Sequence, residues 1–143
     1  RYKKLMQIEK NKKIKSYDFY NGYQKILEKI KLDFLNFLHK SKNENKKIIG
    51  YGAAAKGNTL LNYTNVKSDL IKFVVDNNKF KQNKYLPGSK IKILNGKFIK
   101  KLKPDYILIL PWNIKKEIKK KLSYVKEWKC RFVVAIPKLQ IDK

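Results

Sequence analysis

The chain has 143 residues, with 36 Lys+Arg against 11 Asp+Glu, a formal charge of +25, one Cys and one His. Its 43% hydrophobic and 13% aromatic content excludes the disorder that such charge would otherwise bring, and the length suits one domain that buries about two-thirds of its unfolded surface. Cys130 alone excludes a disulfide framework, and the longest apolar runs (106–112 and 132–137) fall far short of the ~18–20 residues that span a bilayer, so the sequence points to a cytoplasmic chain with no membrane partner.

Residues 1–16 form a basic segment with scattered apolar positions (Leu5, Met6, Ile8, Ile14), read as a short helix or a fraying end. The chain opens at Arg1 without Met or a signal-peptide pattern, and the expectation is a piece of something longer. Over residues 17–40, Tyr20, Tyr23, Ile26, Leu27, Ile30, Phe34, Phe37 and Leu38 recur at helical steps on one face, and Ser16 or Asp18 stands where a cap would. Gly22 lowers helix propensity without breaking the pattern. The polar stretch Ser41–Lys47 ends the helix.

The rhythm then changes. Lys47–Tyr51 reads as a strand ending in glycine, followed by a helix through Asn58–Tyr63. Leu70–Val75 is a second strand ending at Asp76, 77–90 is a loop with a Pro87-Gly88 turn, and Ile91–Ile93 is a weak third strand. Gly96–Leu102 gives one or two helical turns, Tyr106–Leu110 a fourth strand, Asn113–Trp128 a helix and Arg131–Ile136 a fifth strand before Pro137. Strands that are apolar throughout and alternate with helices predict a parallel sheet covered on both faces. The expected fold is α/β over residues 17–143: a Rossmann-like, doubly wound, mostly parallel five-stranded sheet with a long leading helix.

Gly50-Tyr51-Gly52-Ala53-Ala54-Ala55 reads G-x-G-x-x-A between a strand and a helix, with Asp76 at the end of the next strand. That arrangement meets the sequence conditions for a dinucleotide or phosphate loop. Gly50 would permit the turn, Gly52 would let backbone approach a pyrophosphate, and Ala55 would let helix and strand pack closely. The amides at the helix start, including those beside Tyr51 and Ala53, would face an anion, with Lys56 adding charge and Asn58 a neutral donor. Asp76 could accept hydrogen bonds from a ribose. The place two before Gly50 is Ile48, whereas an S-adenosylmethionine loop usually has an acidic residue there.

Pro111-Trp112-Asn113 ends the fourth strand, at the sheet edge where such folds bind ligands. Trp112 can stack on a base or sugar, or pack in the core; Asn113 can contact a ligand, or simply cap the next helix. The loop Lys79–Gly88, with Lys81, Gln82, Lys84 and Tyr85, is the natural lid, and Lys81 and Tyr85 are its candidate contacts. Glu117 and Glu127 read as solvated. With His39 at a helix end and Cys130 beside a strand, no catalytic pair and no metal cluster can be proposed.

The charge itself is weak evidence. Only Arg1 and Arg131 are Arg, and the lysines run along the whole chain. A nucleic-acid site leans on Arg and gathers its charge, so a nucleic-acid partner is disfavoured.

In order along the chain stand Gly50-Tyr51-Gly52-Ala53-Ala54-Ala55-Lys56-Gly57-Asn58-Thr59-Leu60-Leu61-Asn62-Tyr63, Val75-Asp76-Asn77-Asn78, Tyr85-Leu86-Pro87-Gly88, Lys103-Pro104-Asp105-Tyr106, Leu110-Pro111-Trp112-Asn113 and Arg131-Phe132-Val133-Val134. Together they resemble the C-terminal domain of S-adenosylmethionine-dependent sugar C-methyltransferases, over about residues 17–137. The resemblance implies a zinc-binding domain and a methyltransferase domain preceding this one in cis. Those domains would hold zinc and S-adenosylmethionine, this one neither. It further implies that a base elsewhere deprotonates the carbon beside a sugar's keto group, and that the enolate takes the methyl group. This domain, inactive alone, would help position the nucleotide-linked keto-deoxysugar, with Gly50, Gly52 and Lys56 facing the cleft and Asp76 and Trp112 beside them. Lys79, Asn83 and Lys92 depart from the residues common in that family (proline, glycine and proline), a difference that bears on the lid loop more than on the fold. Two other readings remain: an NAD(P)-binding domain of an oxidoreductase, and a basic nucleic-acid-binding module.

Overall fold

In the computed structural model, which describes residues 1–142, the central strand is β1 (Ile48–Tyr51), buried at every position. Around it lie β2 (Val74–Val75), β3 (Ile93–Leu94), β4 (Tyr106–Ile109), β5 (Arg131–Val134) and β6 (Gln140–Ile141), in the order β3-β2-β1-β4-β5-β6. The first five strands are parallel, and β6 pairs antiparallel with β5, Val133 opposite Ile141. The α/β expectation holds with one correction, a sixth strand. Two residues beyond a proline are too short to show any periodicity.

The period of two along the strands divides the core into two layers. Ile48, Tyr106, Leu108, Leu110, Val133 and Ala135 face one side, where they meet Phe34, Phe37 and Leu38 of α3 (Tyr23–Asn43) and Leu60 and Leu61 of α4 (Ala55–Tyr63). Ile49, Tyr51, Ile107, Ile109, Phe132 and Val134 face the other, against Ile99 of α5 (Lys97–Leu102) and Ile118 of α6 (Lys115–Lys121). Covering both faces is what keeps the inner strands β1, β2 and β4 without charged residues.

Several element boundaries differ from the sequence reading. The long helix does not run from residue 17. A short helix α2 (Tyr17–Tyr20) stops, and α3 starts after Gly22 at a φ of +94°, a left-handed conformation that glycine adopts at little cost. Neither Ser16 nor Asp18 caps a helix by a side-chain hydrogen bond, and Ser16 Oγ instead donates to the Lys13 carbonyl. At the other end α3 runs on to Asn43, because Ser41 is buried rather than solvated. The region 113–128 is three pieces: a 3-10 turn (Trp112–Ile114), α6, and a second 3-10 stretch (Ser123–Trp128).

In the 77–90 segment, expected as a loop and lid, residues 83–86 pair back with 91–93 as a hairpin. The Asn83 amide donates to the Ile93 carbonyl at 2.8 Å, the Ile93 amide to Lys84 at 2.8 Å and the Leu86 amide to Ile91 at 2.9 Å. The Asn78 amide donates to Asp76 Oδ1 and the Phe80 amide to Asn78 Oδ1, two consecutive side-chain turns.

Helix–strand packing depends on Gly57. A Cβ there would stand 2.5 Å from Leu110 Cβ and 3.1 Å from its Cγ. Alanine at a helical glycine ordinarily gains about 1 kcal/mol in propensity. Here the overlap falls on a fully buried leucine next to the backbone, so we expect Gly57→Ala to destabilise the fold by about 1–3 kcal/mol in urea unfolding. A variant as stable as the parent would contradict this packing.

Candidate functional site

The glycine loop leaves β1 at the centre of the sheet, where the strand order reverses between β2 and β4 on either side of β1. Its three small positions divide the work differently from the sequence expectation. Gly50 lies inside β1 and does not turn; a Cβ there would meet Val74 Cγ2 at 2.7 Å. The turn falls on Gly52, at φ +86°. The close helix–strand approach falls on Gly57 rather than Ala55.

The space beside Gly52 is filled by protein. A Cβ there would sit 2.7 Å from Pro111 Cδ and 2.8 Å from Pro111 Cγ, so the proline ring rests on the side where a pyrophosphate was expected to approach. The loop amides are engaged as well. Gly52 donates to the Val75 carbonyl, Ala53 to Asp76 Oδ2 at 2.7 Å and Ala54 to the Gly52 carbonyl. The first amide bound within α4 is that of Asn58, to the Ala54 carbonyl. The first-turn amides of Ala55, Lys56 and Gly57 therefore lack a helical acceptor.

Asp76 ties the edge together. Besides Ala53 and Asn78, it pairs with Lys81 at 3.8 Å, and Lys81 Nζ donates to the Ala53 carbonyl at 2.9 Å. Gln82 Nε2 donates to the Asp76 carbonyl and its Oε1 accepts from Asn95. Asp76 thus ties the glycine loop, through Oδ2, to its own loop, through Oδ1.

A cavity of about 330 Å³ opens here, lined by Tyr51, Gly52, Asp76 and Lys81 among the residues named from the sequence. Its other lining includes Asn77, Ile114, Glu117, Ile118 and Lys121, which sequence reasoning missed. The 114-117-118-121 spacing is one helical face, and that periodicity was available in the sequence. Asn77 Nδ2 donates to the Tyr51 hydroxyl at 3.3 Å.

The remaining predicted residues fall into separate places. Lys56 Nζ donates to Asn113 Oδ1 at 2.8 Å and lies 5.4 Å from the centre of the Trp112 ring, joining the start of α4 to the exit of β4. Asn113 therefore binds a lysine instead of capping α6, which has no side-chain cap. Trp112 is half-buried and packs against both core layers. Ala53 is buried; Asn58 is half-buried on α4, and its Oδ1 has no partner among the described residues. Tyr85 is exposed in a bridge with Lys92, outside the cavity lining.

The donor sets do not fit the groups that a methyltransferase would carry. Among the described residues no three of His, Cys, Asp and Glu gather as a zinc site would require. Cys130 is buried, and burial first, then Asp105, pushes its thiol up to about 12. For S-adenosylmethionine, the acidic residue at the strand edge already accepts amides from Ala53 and Asn78, and Pro111 occupies the glycine side. No helix is long and apolar enough to cross a membrane among the described residues.

Residues 1–137 match the family described as C-methyltransferase C-terminal domain. The chain is also 29% identical over 137 residues, 96% of its own length, to a curated protein of Streptomyces niveus, the "C-methyltransferase NovU". That match takes in 33% of the relative, so the chain spans about a third of the length of the curated relative it matches.

Removing the Asp76 carboxylate would strand two amides and free Lys81. We expect Asp76→Ala to cost about 2–4 kcal/mol in urea unfolding, at about 1–2 kcal/mol for each lost charge-assisted bond, and to raise amide exchange selectively over residues 77–84. Unchanged stability and exchange would contradict a bracing role.

Proposed function

The chain belongs to the C-methyltransferase C-terminal domain family, and on that premise we propose that it is the substrate-side domain of a sugar C-methyltransferase. On this reading residues 17–143 hold and orient a nucleotide-linked keto-deoxysugar, and a methyltransferase portion of the same polypeptide, outside this chain, binds S-adenosylmethionine as methyl donor. The domain contributes proximity and has no catalytic group of its own.

The observation that supports this reading most is the cavity at the carboxyl ends of β1, β2 and β4, with cations arranged around that edge. Lys81 and Lys121 line it, and Lys56 stands at the junction of α4 and β4. A diphosphate carries the complementary charge, and the net charge of +25 draws an anion toward the edge. The unpaired first-turn amides of α4 add oriented donors. Ile114, Ile118 and Pro111 give the same cavity an apolar wall, which suits the CH face of a deoxysugar, while Glu117 and Asn77 can bond hydroxyls. At about 330 Å³ the space lies at the lower end for small-molecule sites. That size suits part of a nucleotide-sugar, the rest lying against the methyltransferase portion.

The dinucleotide alternative is weakened at the feature it relied on. Each Asp76 oxygen already accepts one backbone amide, from Ala53 and Asn78, and Lys81 stands 3.8 Å from Oδ2, so less of the carboxylate is left for a ribose.

Calorimetric titration of the chain with nucleoside-diphosphate sugars, the bare diphosphates and NAD tests the reading. The expected result is binding of the nucleotide-sugars, weakened about 5- to 10-fold by Lys56→Ala, which removes about 1–1.4 kcal/mol of a charge-assisted contact. Binding of NAD without nucleotide-sugars, or of no nucleotide at all, would overturn it.

A further inference from the structure

No residue from 1 to 29 is buried; the first buried position is Ile30. Yet this arm is folded and apolar on one side. Helix α1 (Tyr2–Asn11) has no buried residue, and a groove of about 730 Å³ between it and the turn that follows is lined by Tyr2, Met6 and Ile14. Ten-residue helices are marginal in water unless something covers them. At the α2–α3 junction Phe19, Tyr20 and Tyr23 cluster with ring centres 5.1–5.9 Å apart. Tyr17 is 82% exposed and Ile26 55%.

These residues continue a stripe that the domain itself uses. Tyr23, Ile26, Leu27, Ile30, Phe34 and Phe37 follow one another at three- and four-residue steps, and only the last three of them are buried. The apolar face of α3 therefore runs past the edge of the sheet with nothing upon it. Single exposed apolar residues need no explanation, but a folded arm of this length presenting a continuous face marks an interaction surface.

We propose that the arm, residues 2–29, is the surface through which this domain seats on the methyltransferase portion of the same polypeptide. The proposal rests on the functional reading above only in requiring that such a portion exist. Three observations select this occupant. The family is one of C-terminal domains, and about two-thirds of the curated relative lies outside the match. The family match runs from residue 1, so it takes in the arm. The charge opposes a second copy of the chain: residues 1–16 carry seven basic side chains and one acidic, within a net charge of +25. Two such faces repel, whereas an apolar surface with an acidic rim complements the arm.

Hydrogen exchange read by mass spectrometry tests this on the intact gene product and on the 143-residue chain. In the chain alone, amides 2–29 should exchange at least 100-fold faster than in the intact protein, while the sheet is protected equally in both. Ile26→Asp with Leu27→Asp should abolish that protection in the intact protein, yet lower the melting temperature of the isolated chain by only a few degrees, because both side chains lie outside its core clusters. An arm that exchanges as fast in the intact gene product as in the isolated chain overturns the proposal. So does an arm protected in the isolated chain together with a dimer in sedimentation, which assigns the face to a second copy. The two readings fail separately. Nucleotide-sugar binding to the isolated chain with an unprotected arm in the intact protein sinks the docking surface alone. A protected arm with no nucleotide-sugar binding sinks the substrate reading alone.

Discussion

The contact on which the structure depends is the one between the glycine loop and the exit of β4. Gly52 receives the Pro111 ring, Gly57 receives Leu110, and Lys56 reaches across to Asn113. These three contacts lie within six residues of chain on one side and four on the other, at the middle of the sheet where the strand order reverses. In an open α/β sheet that is the crevice where ligands bind. Here neighbouring loops close part of it, and the remaining cavity is displaced toward α6. A loop whose pattern resembles a nucleotide cradle has become a joint between α4 and β4.

The same closure shapes the chemistry of the edge. Asp76 in an acidic position after β2 would suit a ribose, but its oxygens hold Ala53 and Asn78 and face Lys81. What remains for a ligand is a set of cations, a few neutral donors and an apolar wall, without a carboxylate–histidine or cysteine–histidine pair. Such a surface suits holding and orienting an anionic ligand, the role proposed for it. On the proposed reading the chemistry lies in another part of the polypeptide, and the chain's match to a C-terminal domain family is in keeping with that division of labour.

How much of this could be read in advance depends on what each residue reveals about its neighbours. The five parallel strands are legible as short apolar runs because burial on both faces leaves few polar positions to blur them, and the glycine loop and Asp76 are legible from their spacing. The break at Gly22 was hidden because periodicity counts apolar residues on a face and says nothing about whether anything covers it; Tyr20, Tyr23, Ile26 and Leu27 kept the helical rhythm beyond the sheet. Strand β6 was too short to have a rhythm. Glu117 reads as solvated because charge alone does not show that a helix faces a cavity, although the apolar Ile114 and Ile118 at helical spacing carry that signal. The roles of the glycines shifted by two residues, from Gly50 to Gly52 for the turn and from Ala55 to Gly57 for the close approach. Which small residue meets a neighbour depends on strand register, which a single sequence does not show.

The most direct test of the central claim is a nuclear magnetic resonance titration of isotopically labelled chain with a nucleoside-diphosphate sugar, following backbone amides and the Trp112 indole. The account predicts saturable shifts confined to the carboxyl edge of the sheet: Gly52 to Gly57, Asn77, Lys81, Trp112 and the 114–121 face of α6. Shifts spread over lysines across the whole surface and removed by salt would show only diffuse attraction between charges. That result, or shifts elsewhere in the fold, would contradict a substrate site at this edge.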